Sequence, residues 1–493
     1  MALQLSLERN NGSTLYQQIA EQIKDRICDG RLPAGTQLPT IRHLAHALSV
    51  TRLTVQNAYA ELQTNGWIEA TVGRGTFVAD GVRPRPPLIL PGQPITTDGV
   101  INDILRGNQI SGMRSMSNAS PDLRLFPSEE FWHGLESLRS SFVEMTPYVS
   151  SQGDSSLLVE LANFVQEREI DVLPEEILVT NGATQGFSLV TQALCRPGDR
   201  VLVEQPTYLG FLNSIQAQGV QPVGVPLDDE GVRLDALERM IVQERPRFLY
   251  TVPSFQNPTG LSLSLERRKE LVALAERYNL LVVEDDIYGR LSYDGPPPLP
   301  LKALDRTGTV IHIGSFSKML MPSLRLGFVI APPPLHQRLV SLRRATDLCG
   351  SLFLQRALAE FLHNGGLRRH LRRVLPIYRE RRDALLSALK LAMPADVRWT
   401  RPTGGLVCWL TLPAQPNMAD LLMATQQAGW NFAPGEVFLA QPEAIHHLRL
   451  SFGQSPPETI RSGVDTLAKL IKERIAKRQG QKANPVKDWT PLV

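Results

Sequence analysis

The segment SFSKMLMPSLRLGF, from Ser315 to Phe328, places one lysine, Lys318, among apolar residues and small hydroxyls. It follows the apolar run TVIHIG, which is typical of a buried strand. Arg325 comes later in the same segment, just before the dipeptide LG. A lysine that only solubilises a surface needs no such surroundings, so we interpret Lys318 as part of a site at the end of a strand.

Short apolar runs alternate with helical stretches from about Asp98 onward. The runs EILVTNG, RVLVEQ, RFLYTVP, LLVVEDD and TVIHIGS are separated by segments such as SLERRKELVALAERYN. This alternation is typical of an α/β domain with a mainly parallel sheet. From about Val374, further helices and a strand pair at GGLVCWL and HHLRLSF predict a small C-terminal α+β subdomain.

The chain is predicted to contain four regions. Residues 1–78 are dense in helical periodicity. Residues 79–115 contain the run VRPRPPLILPGQPITT, whose prolines forbid helix and favour an extended linker. Residues 116–475 form the α/β domain with its subdomain, and residues 476–493 form a polar, basic tail.

Composition excludes several classes of protein. The net charge of +3 and the hydrophobic content of 42% describe a globular chain rather than a polycation. Its four cysteines are scattered without CxxC spacing, which argues against a disulfide framework or a metal site. The sequence shows neither a signal peptide nor an apolar run long enough for a membrane span, so we expect a cytoplasmic location without a membrane partner.

The N-terminal region contains the pattern of a DNA-binding head. Two helices, STLYQQIAEQIKDRICDG and LPTIRHLAHAL, precede a third, TRLTVQNAYAELQTNG, whose polar face carries Arg52, Thr54, Gln56 and Asn57. Such side chains suit phosphate oxygens and base edges in a major groove. The segment WIEATVGRGTFVA then predicts a hairpin with a basic tip. Residues 1–78 carry a net charge of only +1, so we expect one head to bind DNA weakly and a dimer to be needed.

The head resembles the winged helix-turn-helix of the GntR regulator family in GRLPAGTQLPTIRHLA, VTRLTVQNAYAELQTNGWI and GRGTFV. Leu53 and Gln56 stand where common members carry a polar residue and an arginine. A winged helix used for protein contacts is the alternative. The resemblance implies binding to a double-stranded DNA operator. The residues expected to contact DNA are Arg42, Thr51, Arg52, Thr54, Gln56, Gly73 and Arg74.

The large domain supplies the groups that pyridoxal phosphate requires. That cofactor needs a lysine for its aldehyde, a carboxylate at its ring nitrogen, a neutral donor at its ring oxygen, an aromatic on its face, and amides, hydroxyls and a guanidinium for its phosphate. Lys318, Asp285, Asn257 and Tyr208 match the first four needs. The expected cofactor-binding residues are Lys318, Asp285, Tyr288, Asn257, Tyr208, Gly182, Ala183, Thr184, Ser315, Ser317 and Arg325, and Arg449 is expected to bind a carboxylate.

This set resembles the fold type I aminotransferases, in particular the aminoadipate and kynurenine aminotransferases, from about Asn118 to about Leu470. The resemblance implies that Lys318 forms the internal aldimine and that Lys318, Asp285 and Tyr208 are catalytic. It also implies that Tyr148, in YVSSQG, reaches the phosphate of a partner subunit. A homodimer with shared active sites is therefore expected.

A winged head joined to such a domain resembles the MocR subfamily of GntR regulators. The resemblance implies a transcriptional regulator that binds pyridoxal phosphate through Lys318 and senses an amino acid or amine by external aldimine formation. Two alternatives stay open at this point. One is a working aminotransferase of the aminoadipate or kynurenine kind, and the other is a regulator that senses pyridoxal phosphate itself.

Overall fold

The computed structural model describes residues 5, 7, 14–28, 30–71, 74–79, 113–412 and 418–482. Gly73, most of the predicted linker and the end of the predicted tail lie outside these residues. The chain divides into two units, Met1–Gln93 and Pro94–Val493, which we call the head and the body. No helix within the described residues is long and apolar enough to cross a membrane.

The head is a winged helix-turn-helix. Its elements are the helices α1 (Leu15–Cys28), α2 (Ile41–Ala47) and α3 (Arg52–Thr64) and the antiparallel strands β1 (Ile68–Thr71) and β2 (Gly75–Val78). Thr40 caps α2 by accepting a hydrogen bond from the His43 amide. The inward faces of α1 and α3 form the core, with Ile19, Ile23, Val55 and Leu62 buried.

A large, mainly parallel sheet organises the body. Its strands are β4 (Ile177–Thr180), β5 (Arg200–Gln205), β6 (Gln221–Asp228), β7 (Gly231–Val232), β8 (Phe248–Thr251), β9 (Leu281–Asp285), β10 (Val310–Ser315) and β11 (Gly327–Ile330). They follow the order β4-β11-β10-β9-β8-β5-β6-β7. The strands from β10 to β6 pair in parallel, whereas β11 is antiparallel to both of its neighbours. The predicted α/β class is therefore confirmed.

Helices cover both faces of this sheet. In the large domain they are α4 (Ser128–Ser137), α5 (Ser155–Gln166), α6 (Ala183–Leu194), α7 (Leu209–Gln216), α8 (Leu234–Glu244), α9 (Leu265–Arg277), α10 (Leu301–Leu304), α11 (Pro333–Thr346) and α12 (Leu352–His363). Successive strand residues point to opposite faces, so Val201 and Val203 pack in one buried cluster and Leu202 packs in another. This double burial explains why the strands are continuous apolar runs.

The C-terminal subdomain combines an antiparallel sheet with long helices. It contains α13 (Gly366–Ala392), α14 (Met418–Gln427), α15 (Pro457–Lys482), β12 (Arg398–Trp399), β13 (Val407–Leu412), β14 (Trp430–Asn431), β15 (Ala433–Pro434) and β16 (His446–Ser451). The sheet order is β12-β13-β16-β15. The β13–β16 pair corresponds to the two strands that the sequence predicted here.

Two boundaries differ from the sequence-based expectation. The short strand β3 (Arg114–Ser115), which pairs with β14, lies inside the predicted linker. Its position is fixed by contacts remote in sequence, since the Arg114 guanidinium lies 4.3 Å from the centroid of the Trp430 ring. Helix α15 continues to Lys482, past the predicted start of the tail at residue 476.

Candidate cofactor and effector site

The predicted site residues gather at the carboxyl ends of the parallel strands, where open α/β sheets bind ligands. Asp285 is the last residue of β9, and Lys318 follows β10 by a few residues. β9 and β10 pair in parallel with Asp285 opposite Ile313. The register of two neighbouring strands therefore brings the carboxylate and the lysine to the same edge of the sheet.

Asp285 lies in a buried, hydrogen-bonded position. Its carboxylate accepts hydrogen bonds from the Tyr250 hydroxyl at 2.7 Å and from the Ile287 amide at 3.3 Å. Burial raises its pKa to about 7, although both hydrogen bonds favour the charged form. A cationic partner would offset this desolvation, so the site suits a protonated ring nitrogen.

The Lys318 amine is held in an environment that favours its neutral form. Burial and the positive charge of Arg449 lower its pKa to about 8, and the Asp285 carboxylate opposes that shift. The amine donates a hydrogen bond of 2.7 Å to the Ala119 carbonyl. A neutral amine is a nucleophile, so Lys318 is suited to attack an aldehyde.

Arg449 projects from β16 into the same site. Its Nη1 donates to Asn257 Oδ1 over 2.8 Å, and its Nη2 donates to the Ser117 carbonyl. Its buried Nε has no hydrogen-bond partner within the described part of the chain. Asn257 in turn lies 3.4 Å from the Tyr288 hydroxyl, so ring-contact and carboxylate-binding candidates form one connected group.

The candidate phosphate cradle lies at the start of α6. Gly182 precedes this helix with φ of +85°, and a Cβ atom added there would lie 2.9 Å from Arg325 Nη2. Arg325 donates to the Asn181 carbonyl over 2.8 Å. Among the described residues no side chain caps the helix N-terminus at Gly182, so the helix begins at Ala183 and Thr184 with backbone amides that favour an anion. Ser315 and Ser317 precede Lys318, and the Ser315 hydroxyl donates a hydrogen bond of 3.1 Å to the Ser317 hydroxyl.

The two tyrosines Tyr208 and Tyr148, both predicted to contact the cofactor, lie in different environments. Burial and the Asp285 charge raise the pKa of Tyr208, while Arg449 and Arg325 oppose that shift, so Tyr208 lies within reach of the same charges. Tyr148 is 85% exposed and lies at the surface of the single chain.

Sequence reasoning missed several residues of the site. Tyr250 belongs to the apolar run of β8, where a tyrosine resembles a core residue. Glu204, buried at the end of β5, accepts hydrogen bonds from the Val252 amide and Gln256 Nε2 and so holds the loop that carries Asn257. The signal available in the sequence was the position of the Glu204 carboxylate inside a strand. The main-chain carbonyls of Ser117 and Ala119 could not be predicted from the sequence, because every residue has one.

The DNA-contact candidates of the head differ in how exposed their side chains are. Arg42, Thr51, Arg52, Gln56 and Arg74 are exposed, and Thr54 is half-buried. The Thr51 hydroxyl accepts from the Thr54 amide and caps α3, so it also has a structural role. Gln37 Nε2 donates to the Arg74 carbonyl over 2.9 Å and supports the wing. Gly73 is not among the described residues.

Comparison with known proteins identifies the family. Residues 117–467 match the model of aminotransferases of class I and II, and residues 15–78 match that of bacterial regulatory proteins of the gntR family. YdfD of Bacillus subtilis, named as an HTH-type transcriptional regulator, is 31% identical over 93% of this chain and 96% of its own. The rhizopine catabolism regulatory protein MocR of Rhizobium meliloti is 29% identical over 94% of this chain and 95% of its own. The chain belongs to the MocR subfamily.

Solved structures place the MocR body among the aminotransferases. The crystal structure of the α-aminoadipate aminotransferase from Thermus thermophilus, complexed with N-(5'-phosphopyridoxyl)-L-leucine, is 35% identical with a TM-score of 0.71. The match covers 76% of this chain and 95% of that one. Membership of the aminotransferase class I and II family indicates a pyridoxal phosphate cofactor, and the GntR head implies DNA binding.

The residues of this MocR chain fit that cofactor. The Gly182 backbone leaves open the space beside Arg325 that a side chain would fill. The donor set also matches, because Lys318, Asp285 and Asn257 supply an amine, a carboxylate and an amide in one site.

Proposed function

We propose that the protein is a transcriptional regulator whose body binds pyridoxal phosphate through Lys318 and senses a small amino acid or amine. The observation that carries this proposal is the position of Lys318, Asp285 and Arg449 in one buried site, in a chain with a GntR head. An amine-reactive group beside a guanidinium suits a ligand that has both an amino group and a carboxylate.

Each residue has a definite role in holding the cofactor. Lys318 would provide the attaching amine, and the Asp285 carboxylate would keep a proton on the ring nitrogen. Asn257 and Tyr288 would donate to the ring oxygen, and Tyr208 would pack against the ring. Bound pyridoxal phosphate supplies an aldehyde that combines with amines and a ring that withdraws electrons. The phosphate ligands are Gly182, Ala183, Thr184, Ser315, Ser317 and Arg325.

Arg449 distinguishes amino acids from simple amines. One of its nitrogens now binds the Ser117 carbonyl, so a ligand carboxylate competes with that carbonyl. The Ala119 carbonyl likewise accepts from Lys318. Both carbonyls belong to the segment that follows β3, directly after the linker region. Ligand binding therefore releases this segment and shifts the population of DNA-binding conformations.

A homodimer completes the proposal. Tyr148 is 85% exposed in the single chain, which leaves its hydroxyl available to a partner subunit. Two heads on paired half-sites also compensate for the low charge of one head. Sedimentation of the full-length protein tests the assembly, and Tyr148→Phe is expected to weaken cofactor binding without dissociating the dimer.

A titration tests the sensing role. The cofactor-loaded protein is titrated with a panel of amino acids and amines, and each ligand is followed by visible absorbance and by affinity for DNA. We expect one ligand class to change both signals. A spectrum that responds while DNA affinity stays constant for every ligand would contradict the sensor assignment.

A variant in the head tests the DNA assignment separately. Arg52→Ala is expected to weaken DNA binding by about tenfold. The slope of log affinity against log salt concentration should also become shallower by about one unit per head, because one phosphate contact is lost. The visible spectrum should not change. Arg245→Ala, an exposed arginine of the body, serves as the control and should leave both signals as they are.

An aminotransferase is the second candidate, favoured by the presence of Lys318, Asp285 and Arg449 together in the site. Turnover is tested by mass-spectrometric detection of keto acid when the protein is given an amino acid and an acceptor. Catalytic keto-acid formation supports this candidate. A regulator that senses the cofactor alone is recognised by a change in DNA affinity on addition of pyridoxal phosphate without an amine.

A further inference from the structure

Four side chains that can carry positive charge line one open concavity on the head. Arg42, His43 and His46 come from α2, and Arg52 comes from the start of α3. His43 and His46 are three residues apart on the helix, so they lie on the same face. The remaining lining residues are Thr40, Ala45, Ser49 and Val50. The lining contains two hydroxyls and no carboxylate.

These four basic side chains are exposed. Within the described part of the chain, none of them forms a side-chain hydrogen bond or an ion pair, whereas body arginines such as Arg168 and Arg290 bind carboxylates. Unpaired cations side by side repel one another. Their arrangement in one concavity is therefore favourable when an anion occupies it.

The position of the concavity indicates the anion. In a helix-turn-helix the helix before the recognition helix crosses the DNA backbone, and phosphates receive about half or more of all protein–DNA hydrogen bonds. The hydroxyls of Thr40 and Ser49 can also donate hydrogen bonds to phosphate oxygens. Thr40 uses its oxygen to cap α2, which leaves its hydrogen free to donate.

We propose that this concavity binds the phosphate backbone of one DNA strand and that His43 and His46 make the binding dependent on pH. Histidine is the side chain whose charge ordinarily changes between about pH 5 and pH 8. In the free head, Arg42 and Arg52 are the charged groups that share the concavity with the two imidazoles. A phosphate bound in the concavity favours protonation of the imidazoles. DNA binding is therefore accompanied by proton uptake, and affinity increases as the pH falls.

The test uses the full-length protein and a fluorescently labelled duplex of mixed sequence, because phosphate contacts do not depend on sequence. Affinity is measured by anisotropy between about pH 6 and pH 8 at fixed ionic strength, and again over a salt series. We expect about a tenfold weakening across this pH range. At the lower pH, each imidazole that neutralises a phosphate should steepen the slope of log affinity against log salt concentration by about 0.9. The double variant H43Q/H46Q should lose most of the pH dependence.

Two controls separate the imidazoles from other effects. Arg42→Gln should lower affinity at every pH while keeping the pH dependence. His133→Gln, an exposed histidine of the body, should change nothing. All these side chains are exposed, and circular dichroism checks that each variant is folded. The single variants H43Q and H46Q serve if the double variant does not fold.

The proposal would be overturned if the folded double variant kept the pH dependence of DNA affinity. It would also be overturned if both single variants kept a pH dependence as large as that of the wild-type protein. Absence of a pH dependence from the wild-type protein would do the same. This proposal rests on DNA binding by the head. A wild-type protein that binds no duplex at either pH would instead contradict the DNA-binding assignment, so the two failures are distinguishable.

Discussion

The Tyr250 hydroxyl donates a hydrogen bond of 2.7 Å to Asp285 Oδ2, and both residues are fully buried. The Tyr250 ring is fixed by stacking on Phe211, with ring centroids 3.7 Å apart. The hydrogen bond favours the charged carboxylate, whereas burial raises the pKa of Asp285 to about 7. Tyr250 thus helps Asp285 to carry the charge that a protonated ring nitrogen requires.

Tyr250→Phe removes this donor and keeps the ring. We expect the pKa of Asp285 to rise further, because the carboxylate loses a hydrogen bond that stabilises its charge. The affinity for pyridoxal phosphate should fall by about tenfold or more, as hydrogen bonds to charged groups contribute about 1.5–3 kcal/mol. Titration of the cofactor into the apoprotein, followed by absorbance, measures this. Tyr278→Phe is the matched control, since Tyr278 donates to Glu238 over 2.8 Å at the surface. Equal affinities for both variants would contradict the role of Tyr250.

Gly182→Ala tests the phosphate cradle. The added methyl group would meet Arg325 Nη2 at 2.9 Å and displace the guanidinium. Gly198 has a similar φ of +93° but nothing within 4 Å of an added Cβ. Both alanine variants should lose about 1–2 kcal/mol of unfolding free energy from the positive φ. Only Gly182→Ala should also bind pyridoxal phosphate more weakly, by about tenfold or more. Parallel losses of cofactor affinity would exclude a specific cradle.

Arg449→Gln tests the choice of ligand. The variant keeps a hydrogen-bonding side chain but loses the charge that is proposed to bind a ligand carboxylate. The spectral response to amino acids should weaken by about tenfold or more, and the response to alkylamines without a carboxylate should stay within about twofold. Arg401→Gln, at an exposed position, is the control. An equal loss for amino acids and alkylamines would show that Arg449 supports the site generally and does not select carboxylates.

The reactivity of Lys318 predicts a pH profile. Its pKa is lowered to about 8, and the neutral amine that attacks an aldehyde predominates above that pH. The rate of cofactor attachment, followed by stopped-flow absorbance, should therefore rise with pH and level off above about pH 8. Arg449→Gln removes a nearby positive charge that lowers this pKa, so its plateau should begin at higher pH. A rate that keeps rising toward about pH 10, as for a surface lysine, would contradict this environment.

Much of the fold was predictable because the chain repeats strong local signals. Buried strands in the body are continuous apolar runs, and Asp285 and Lys318 stand where such runs end. The helices of the head were predictable from the helical periodicity of the sequence. The two-residue strand β3 was not, because so short a segment has no periodicity and is held by Trp430 from far along the chain.

The parts of the site that escaped prediction depend on packing. Tyr250 resembled a core residue, and its polar role follows from the parallel pairing that places it opposite Val283 on β9. The contacts of Lys318 and Arg449 with the carbonyls of Ala119 and Ser117 involve main-chain atoms, which every residue has. That no described residue forms an ion pair with His43 also required the three-dimensional structure, since ion pairing cannot be derived from sequence spacing alone.

The most direct test of the central claim is the site of cofactor attachment. The purified protein is incubated with pyridoxal phosphate, reduced with borohydride, digested and analysed by mass spectrometry, with Lys318→Ala and Lys302→Ala in parallel. We predict a visible absorption band before reduction and a cofactor adduct on the peptide containing Lys318, both retained in Lys302→Ala and lost in Lys318→Ala. A wild-type protein that stays colourless and unmodified, or an adduct that persists in Lys318→Ala, would contradict the account.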